Sequence, residues 1–243
     1  MLVARPLNRV RKRLGLPPVR RIFRWWLSPD LVVGLFPSWY AAPQRDWPPQ
    51  IRLAGFARHD GGIGDELPSD VREFCGAGDP PVAFTYGTGM TRSAAYFRSA
   101  LAACGQIGVR GLLLTKYRDQ LPNKLPASVR HCSFAPFRRL LPLCRAFVHH
   151  GGIGTTAAAL QAGCPQLVLP LAWDQPDNAA RVVRLGCGSR LDARRRTPQA
   201  MAAALSRIMT PAVRDCCRAI AAQAGRDEDG LAVAARWVEE LGK

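Results

Sequence analysis

The fold of this chain is indicated by one stretch of sequence, Phe147-Val-His-His-Gly-Gly-Ile-Gly-Thr-Thr-Ala-Ala-Ala-Leu160. An apolar run ends in two histidines, a glycine-rich turn follows, and a helical segment opens on two threonines. The N-terminus of a helix has unpaired N–H groups and a positive dipole end, and glycines let a phosphate approach the backbone. The stretch therefore predicts a strand, a turn and a helix that form an anion site, to which His150 adds an imidazole group.

The alternation of strand-like and helix-like segments extends to both sides of this stretch. From about residue 68 to residue 225, apolar runs alternate with segments of helical periodicity. Continuous apolar strands separated by helices are typical of a parallel sheet covered on both faces. The sequence therefore predicts an α/β fold with a Rossmann-like, doubly wound domain. The predicted strands are Pro81–Tyr86, Gly111–Thr115, Val129–Phe134, Ala146–His150, Gln166–Pro170 and Ser189–Leu191.

A second informative segment runs from Pro165 to Ala180 and reads as a strand, a turn and the start of a helix. It places Asp174 and Gln175 at the carboxyl end of a strand, where ligands of open α/β sheets bind. A carboxylate beside an amide suits a polyol, because paired hydroxyls need both acceptors and donors. The other interpretation is that Asp174 only caps the helix that follows.

The glycine turn also has other interpretations. Residues 152–157 match G-x-G-x-x-A, the dinucleotide fingerprint, and Asp174 follows at about the spacing that the fingerprint requires. This unit is a late βα repeat, however, whereas the fingerprint belongs to the first one. An NAD-dependent enzyme is therefore the second interpretation, and a glycine turn without any ligand is the third.

Several spaced motifs resemble the donor-binding signature of the family 1 glycosyltransferases, which have the GT-B fold. The motifs are His150-Gly-Gly-Ile-Gly-Thr-Thr156, then Pro170-Leu-Ala-Trp-Asp-Gln175, then Asn178. They are most similar to the bacterial branch related to macrolide and sterol glycosyltransferases. The resemblance extends from about residue 28 to the C-terminus. It implies an inverting hexosyltransferase that uses a UDP- or TDP-sugar without a metal or other cofactor and glycosylates a hydroxylated small molecule or lipid.

The resemblance also implies a role for each matched residue. Phe134 stands where the family often has a Trp that stacks on the nucleotide base, and Phe137 stands near a position whose backbone contacts the base. The implied site has four groups: the diphosphate-binding residues His150, Gly152, Gly154, Thr155 and Thr156; the sugar-binding pair Asp174 and Gln175; the base-binding residues Phe134 and Phe137; and the cleft loop Gly87, Thr88 and Gly89.

One departure from the family concerns the general base, a histidine near the start of a complete N-terminal acceptor domain. Nothing here matches that histidine, so the catalytic base is unknown. Residues 1–56 resemble only the closing portion of the acceptor domain. Residues 57–67 are predicted to form a linker, and residues 68–243 the donor-binding domain with C-terminal helices. We expect a fragment, a truncated product, or one component of a split enzyme with a separate acceptor-domain chain. A non-catalytic nucleotide-sugar-binding subunit is the alternative function.

The chain is strongly basic, with 34 Lys and Arg against 18 Asp and Glu and a net charge of +16. Eight of the cations precede the first acid, Asp30, and Phe23, Trp25 and Trp26 lie among them. This segment is either a solvated basic helix or a surface that contacts anionic lipid. Nucleic-acid binding is not expected, because no RNP, zinc-finger or helix-turn-helix pattern accompanies the charge.

The cysteines and the N-terminal residues indicate the cellular compartment of the protein. The eight cysteines form no C-x-x-C pair and mostly lie inside apolar runs, so they read as small buried hydrophobes in a reducing environment. Arginines, and no apolar segment, follow Met1–Ala4. The longest early apolar run, Leu31–Phe36, is too short to span a bilayer. We therefore expect a cytoplasmic protein, with peripheral membrane contact through the basic N-terminus.

Overall fold

A computed structural model describes residues 3–58, 66–87 and 93–242 of the chain. The chain divides into two compact units, Phe56–Glu228 and Met1–Gly55 together with Asp229–Lys243. The sequence grouped the last helix with the donor-binding domain, whereas the structure groups it with the N-terminal residues.

The described residues form ten α-helices, eight strands and three short 3₁₀ segments. In chain order the helices and strands are α1 (Ala4–Arg13), α2 (Ile22–Trp25), β1 (Val32–Gly34), β2 (Ile51–Leu53), α3 (Ser69–Gly76), β3 (Val82–Thr85), α4 (Ala94–Ile107), β4 (Gly111–Leu114), β5 (Val129–Cys132), α5 (Phe137–Leu140), β6 (Ala146–His149), α6 (Ile153–Gln161), β7 (Gln166–Val168), α7 (Gln175–Arg184), β8 (Gly188–Arg190), α8 (Pro198–Ile208), α9 (Pro211–Arg226) and α10 (Gly230–Leu241).

The unit Phe56–Glu228 is built on a parallel sheet of six strands in the order β5-β4-β3-β6-β7-β8. The chain winds outward from β3 to β5, returns to the middle of the sheet, and winds outward in the other direction from β6 to β8. The strand order therefore reverses between β3 and β6, where doubly wound sheets open a crevice for ligands. The predicted doubly wound α/β architecture is confirmed.

Side chains along the strands alternate between two apolar clusters, one on each face of the sheet. Val82 and Phe84 of β3 lie in the cluster that α4 and α8 cover. Ala83, between them, lies in the cluster that α3, α5 and α6 cover. Because both faces are buried, the strands read as continuous apolar runs, and this pattern made them predictable.

The C-terminal helices start at residues that satisfy free backbone N–H groups. The Thr197 hydroxyl accepts from the N–H of Ala200 at 3.2 Å at the start of α8, and the Asp229 carboxylate accepts from the N–H of Leu231 at 3.1 Å at the start of α10. Side-chain caps of this kind typically stabilise a helix by about 1 kcal/mol.

The unit formed by the two chain ends contains the short parallel pair β1–β2. The guanidinium of Arg52, on β2, lies 5.7 Å from the centroid of the Trp237 ring, on α10. Helix α1 buries none of its residues and is tied to the following segment by Asn8, whose side chain bonds both the N–H and the carbonyl of Val19. In the described part of the chain, no helix is both long enough and apolar enough to cross a membrane.

All eight cysteines are free thiols, seven of them buried and one, Cys216, exposed. Burial raises the pKa of the Cys104 and Cys164 thiols to about 12. The prediction that most cysteines act as small buried hydrophobes is confirmed for these positions. Among the described residues, no three His, Cys, Asp or Glu side chains form a group that could hold a metal ion.

Candidate functional site

The site lies where the strand order reverses, at the carboxyl ends of β3 and β6. Gly87 follows β3 with a φ of +94°, and a Cβ atom added there would lie 3.1 Å from Cε1 of His150, which follows β6. The two strands are joined at this point by the buried hydroxyl of Tyr96, which lies 3.2 Å from the carbonyl oxygens of Thr85 and Val148. Gly87 therefore faces His150 across the reversal point, while Thr88 and Gly89 lie outside the described residues.

His149, the first histidine of the pair, is an internal support for the turn. Its ring is fully buried, its Nδ1 accepts from the N–H of Gly151 at 3.1 Å, and its Nε2 lies 2.9 Å from Oε1 of Gln166. Because Nδ1 accepts, the proton sits on Nε2 and is donated to Gln166. Burial lowers the pKa of His149 to about 3, against a smaller opposing effect of the Gln166 bond, so the ring stays neutral.

His150, the second histidine, is half-buried and presents its ring to the turn. A Cβ at Gly152 would lie 2.8 Å from Nε2 of His150, so a side chain there would displace the ring. Its Nδ1 is buried and has no hydrogen-bond partner within the described residues. Burial lowers the pKa of His150, and nearby Asp174 opposes this effect. The imidazole is therefore a neutral group available to a ligand.

The start of α6 is an open helix N-terminus. Gly152 occupies the N-cap position, no side chain caps it, and the first turn carries no acid. The first intrahelical bond runs from the N–H of Thr156 to the carbonyl of Gly152, so the preceding N–H groups lack helical partners. The buried hydroxyl of Thr156 also has no partner among the described residues. This concentration of unused polar groups and positive dipole is suited to an anion.

The loop between β7 and α7 holds the second predicted pair, but much of its polarity is used internally. Oε1 of Gln175 accepts from the N–H groups of Leu171 at 2.8 Å and Ala172 at 3.2 Å. Oδ2 of Asp174 accepts from Nδ2 of Asn178 at 2.8 Å. Asp174 does occupy the N-cap position of α7, but its side chain makes no bond to the helix backbone, so the helix-capping interpretation is wrong.

The two loops are connected by a side chain and by close packing. Nδ2 of Asn178 also donates to the carbonyl of Gly151 at 2.9 Å, and both groups are buried. A Cβ at Gly151, whose φ is +94°, would lie 3.4 Å from Cβ of Gln175. His150 and Gln175 therefore lie at the same edge of the sheet.

Trp173, which directly precedes Asp174 and Gln175, has an unusual backbone conformation. It is the one non-glycine residue with positive φ in the described part of the chain, at 61°. Its side chain is 92 % exposed, more than any other large hydrophobic side chain there.

A cavity of about 800 Å³ opens beside the turn after β6, within the unit Phe56–Glu228. Its walls come from the segments after β3, β4 and β5 and from α6, and they include Gly87, Lys116, Phe134, Gly154 and Thr155. The ring of Phe134 is 47 % exposed, and the thiol of Cys132 donates to its carbonyl oxygen at 2.8 Å. The ring of Phe137 instead packs on Phe147 in the core, with 5.2 Å between centroids.

Arg58 is a cavity residue to which sequence reasoning gave no role. Its guanidinium donates to the carbonyl oxygens of Ala224, Gly225 and Asp227, at the C-terminal end of α9. A cation is favourable there because the helix end has free carbonyls and a negative dipole. An arginine in a segment that reads as a linker was the only signal for this contact.

A family model described as "Erythromycin biosynthesis protein CIII-like, C-terminal domain" matches residues 111–239 of the chain. Among curated proteins, the glycosyltransferase GtfC of Amycolatopsis orientalis is 32 % identical over 243 residues, covering 95 % of this chain and 55 % of GtfC. The chain spans about half the length of the curated relatives it matches.

Solved structures of glycosyltransferases have the same fold. The glycosyltransferase of kitacinnamycin superimposes with a TM-score of 0.77 at 23 % identity, covering 98 % of this chain and 61 % of the other. The spinosyn rhamnosyltransferase SpnG, solved with thymidine diphosphate, gives a TM-score of 0.72 at 21 % identity over 96 % of this chain and 60 % of the other.

Proposed function

Because this chain belongs to the erythromycin biosynthesis protein CIII-like, C-terminal domain family, we propose that it forms the nucleotide-sugar-binding part of a glycosyltransferase. The observation that carries the proposal is the set of unused polar groups around His150 and the uncapped start of α6. The relatives named as glycosyltransferases and the thymidine diphosphate of the SpnG structure support the ligand class.

The diphosphate of a UDP- or TDP-sugar would bind at the turn after β6. The N–H groups of Ile153, Gly154 and Thr155 precede the first intrahelical bond and offer donors to its oxygens. His150 and the hydroxyl of Thr156 add side-chain contacts. As the bond between the sugar and the β-phosphate breaks, negative charge grows on the departing oxygen, and preorganised donors stabilise that charge.

The nucleoside would occupy the cavity of about 800 Å³ beside this turn. We propose that the base stacks on the exposed face of Phe134, whose backbone the thiol of Cys132 holds in place. The ring of Phe137 is half-buried against Phe147, so this residue would contribute through its backbone.

The sugar would lie toward the loop after β7. Within the described residues, hydrogen bonds use Oδ2 of Asp174 and Oε1 of Gln175. The carboxylate's Oδ1 then remains as an acceptor and the amide's Nε2 as a donor, which together suit neighbouring hydroxyls. Since the loop is fixed before the ligand arrives, little ordering would be needed on binding.

In the transfer itself, an acceptor hydroxyl attacks C1 of the sugar, its proton passes to a general base, and the nucleoside diphosphate leaves. Nε2 of His131 is engaged by the carbonyl of Thr115 at 2.8 Å, and His149 is fully buried, so neither is suited to that base. His59 lies outside the described residues. We propose that the base and the acceptor site are supplied by the acceptor-binding part of the whole protein.

Calorimetry of the chain with UDP and TDP tests the donor site, with and without EDTA. We expect binding that EDTA does not change, and His150→Ala should weaken it by about 1–3 kcal/mol. Asp215→Ala, at an exposed position on α9, is the control and should bind like the wild type. Metal-dependent binding, or a His150→Ala variant with unchanged affinity, would contradict the proposal.

The sugar-binding pair is tested by comparing TDP with TDP-glucose. Asp174→Asn and Gln175→Ala should weaken binding of the nucleotide sugar and leave TDP binding nearly unchanged. Equal losses for both ligands would mean that these residues only hold the loop in place.

An activity assay tests whether the chain alone carries a general base, and turnover would exclude the alternative, a non-catalytic nucleotide-sugar-binding subunit. General-base catalysis contributes about 10²–10⁴-fold, and positioning of the acceptor contributes more. We therefore expect this chain alone to hydrolyse a TDP-sugar slowly and to glycosylate hydroxylated acceptors very poorly. Turnover of about 1 s⁻¹ or faster would show that the chain carries its own base.

We also propose that the basic N-terminal segment contacts anionic membranes peripherally. Helix α1 has no buried residue, and the side chains of Phe23 and Trp26 are 82 % and 58 % exposed among the cations. Aromatic rings and basic residues together favour the surface of anionic lipid. Co-sedimentation with phosphatidylserine vesicles, lost in Phe23→Ala/Trp26→Ala, would support this contact. Equal sedimentation with neutral vesicles would exclude it.

A further inference from the structure

We propose that Trp173 is the surface on which the pyranose ring of the donor sugar stacks, an inference that rests on the proposed function of this site. Three observations lead to it: the backbone conformation of this residue, the exposure of its indole, and its place beside Asp174.

The backbone at Trp173 is strained and held by its neighbours. A φ of 61° brings Cβ close to the following carbonyl, so residues other than glycine, asparagine and aspartate rarely adopt it. The hydrogen bonds from the N–H groups of Leu171 and Ala172 to Gln175 fix the chain on one side of it. On the other side, the N–H of Asn178 donates to the carbonyl of Asp174 at 3.0 Å. Such strain persists where the surroundings impose it, and it is common at ligand sites.

Neither the backbone nor the packing requires an indole here. Glycine would adopt this φ without strain. With 92 % of the side chain exposed, the ring contributes almost nothing to the core of the unit. The loop therefore keeps an indole at a strained backbone position without burial that would offset the strain, which is explained if a ligand covers the ring.

The position and the chemistry of the ring favour a sugar as that ligand. Asp174, the next residue, is close enough to His150 to influence its pKa, so the indole stands on the same edge of the sheet as the diphosphate turn. The sugar of a nucleotide sugar is attached to the second phosphate, so it extends beyond that turn. One face of a pyranose consists of C–H groups, and these pack on the electron-rich face of an indole. Asp174 and Gln175 would bind the hydroxyls while Trp173 covers the apolar face.

Two variants separate this role from a structural one, with TDP and TDP-glucose as the probes. Trp173→Gly relieves the strain and removes the ring, so we expect a melting temperature equal to or above that of the wild type. It should bind TDP like the wild type but TDP-glucose about two- to tenfold more weakly. Trp173→Phe keeps an aromatic face and should retain most of the affinity for TDP-glucose.

The outcomes distinguish the inference from the function on which it rests. If the wild-type chain binds neither TDP nor TDP-glucose, the proposed function fails. If it binds both, and Trp173→Gly binds TDP-glucose as tightly as the wild type, the stacking role is wrong. A Trp173→Gly variant that melts at a lower temperature, or that loses TDP and TDP-glucose equally, would show that the ring supports the fold instead.

Discussion

The loops after β6 and β7 lie at the same edge of the same sheet, yet they treat their polar groups in opposite ways. The loop after β6 is held from below by the buried ring of His149 and leaves His150 and the start of α6 without protein partners in the described chain. The loop after β7 uses Gln175 and Asp174 within itself. The first loop therefore keeps unpartnered polar groups suited to an anion, whereas the second uses most of its polar atoms within itself.

The difference shows how rigidity is obtained in each loop. After β6, Gly151 at a φ of +94° and the neutral ring of His149 fix the backbone, so the outward groups stay free for a ligand. After β7, Asp174 and Gln175, which we propose bind the sugar, also fix the loop. Each keeps one polar side-chain atom for a hydroxyl. Replacing a residue that fixes the backbone should therefore lower stability and ligand binding most in the loop after β6.

The largest effect should come from Gly151→Ala. Its φ is +94°, and the new Cβ would lie 2.7 Å from Cγ1 of Val168 and 3.2 Å from the carbonyl oxygen of Gln175. We expect the free energy of unfolding to fall by about 3–5 kcal/mol and TDP binding to be lost. Chemical denaturation and calorimetry measure the two effects.

Gly154→Ala, in the same turn, is the matched control. A Cβ there meets no heavy atom within 4 Å, so the variant should be as stable as the wild type or slightly more stable. A Gly151→Ala protein as stable as Gly154→Ala would show that the left-handed backbone at Gly151 does not fix the loop after β6.

An intermediate effect is expected from His149→Phe. This change keeps a ring near Phe147 but leaves the N–H of Gly151 and Oε1 of Gln166 unsatisfied, which should cost about 2–3 kcal/mol in total. It should also change the pH dependence of stability. The unfolded histidine takes up a proton near pH 6.5, whereas the folded one does so only near pH 3.

The sign of that dependence follows from proton uptake. Between these pKa values the unfolded state binds more protons, so the stability contributed by a neutral His149 is complete above pH 6.5 and is lost as the pH falls toward 3. Denaturation curves from pH 7 to pH 4 should be less steep in pH for His149→Phe than for the wild type. Equal slopes would mean that His149 does not govern acid sensitivity.

The smallest effect should come from cutting the connection between the loops. Asn178→Ala removes the bonds to Gly151 and to Asp174, at 2.9 Å and 2.8 Å, and should cost about 1–3 kcal/mol of stability. Asp174→Ala removes only the second bond and should cost less. In a double-mutant cycle, an interaction energy near zero between the two changes would show that the Asp174–Asn178 bond contributes nothing.

The sequence predicted the positions of the central strands well because β3, β4, β6 and β7 are buried on both faces. The predicted run Gly111–Thr115 is the strand Gly111–Leu114, and Ala146–His150 is Ala146–His149. The anion turn was predictable for a related reason, since glycines after a strand and before a helix leave few alternatives.

The internal hydrogen bonds of the site were not predictable from residue types. Asp174 suited a helix cap as well as a sugar ligand, and the bond of its carboxylate to the side chain of Asn178 was not evident from the residue type. Phe137 was predicted to contact the base through its backbone, and the packing of its ring on Phe147 was not evident from the residue type. Each of these outcomes depends on which side chain lies opposite in space, and the order of residues along the chain does not contain that information.

The distribution of thiols has a practical consequence for spectroscopy. Seven of the eight cysteines are buried, and Cys216, on α9, is exposed. Since maleimide reagents attack accessible thiolates, the wild-type chain should accept one fluorophore or spin label at Cys216 without any cysteine being replaced. That label would sit on the helix whose C-terminal carbonyls Arg58 holds at the rim of the cavity. Nucleotide entry could then be followed optically in the native sequence.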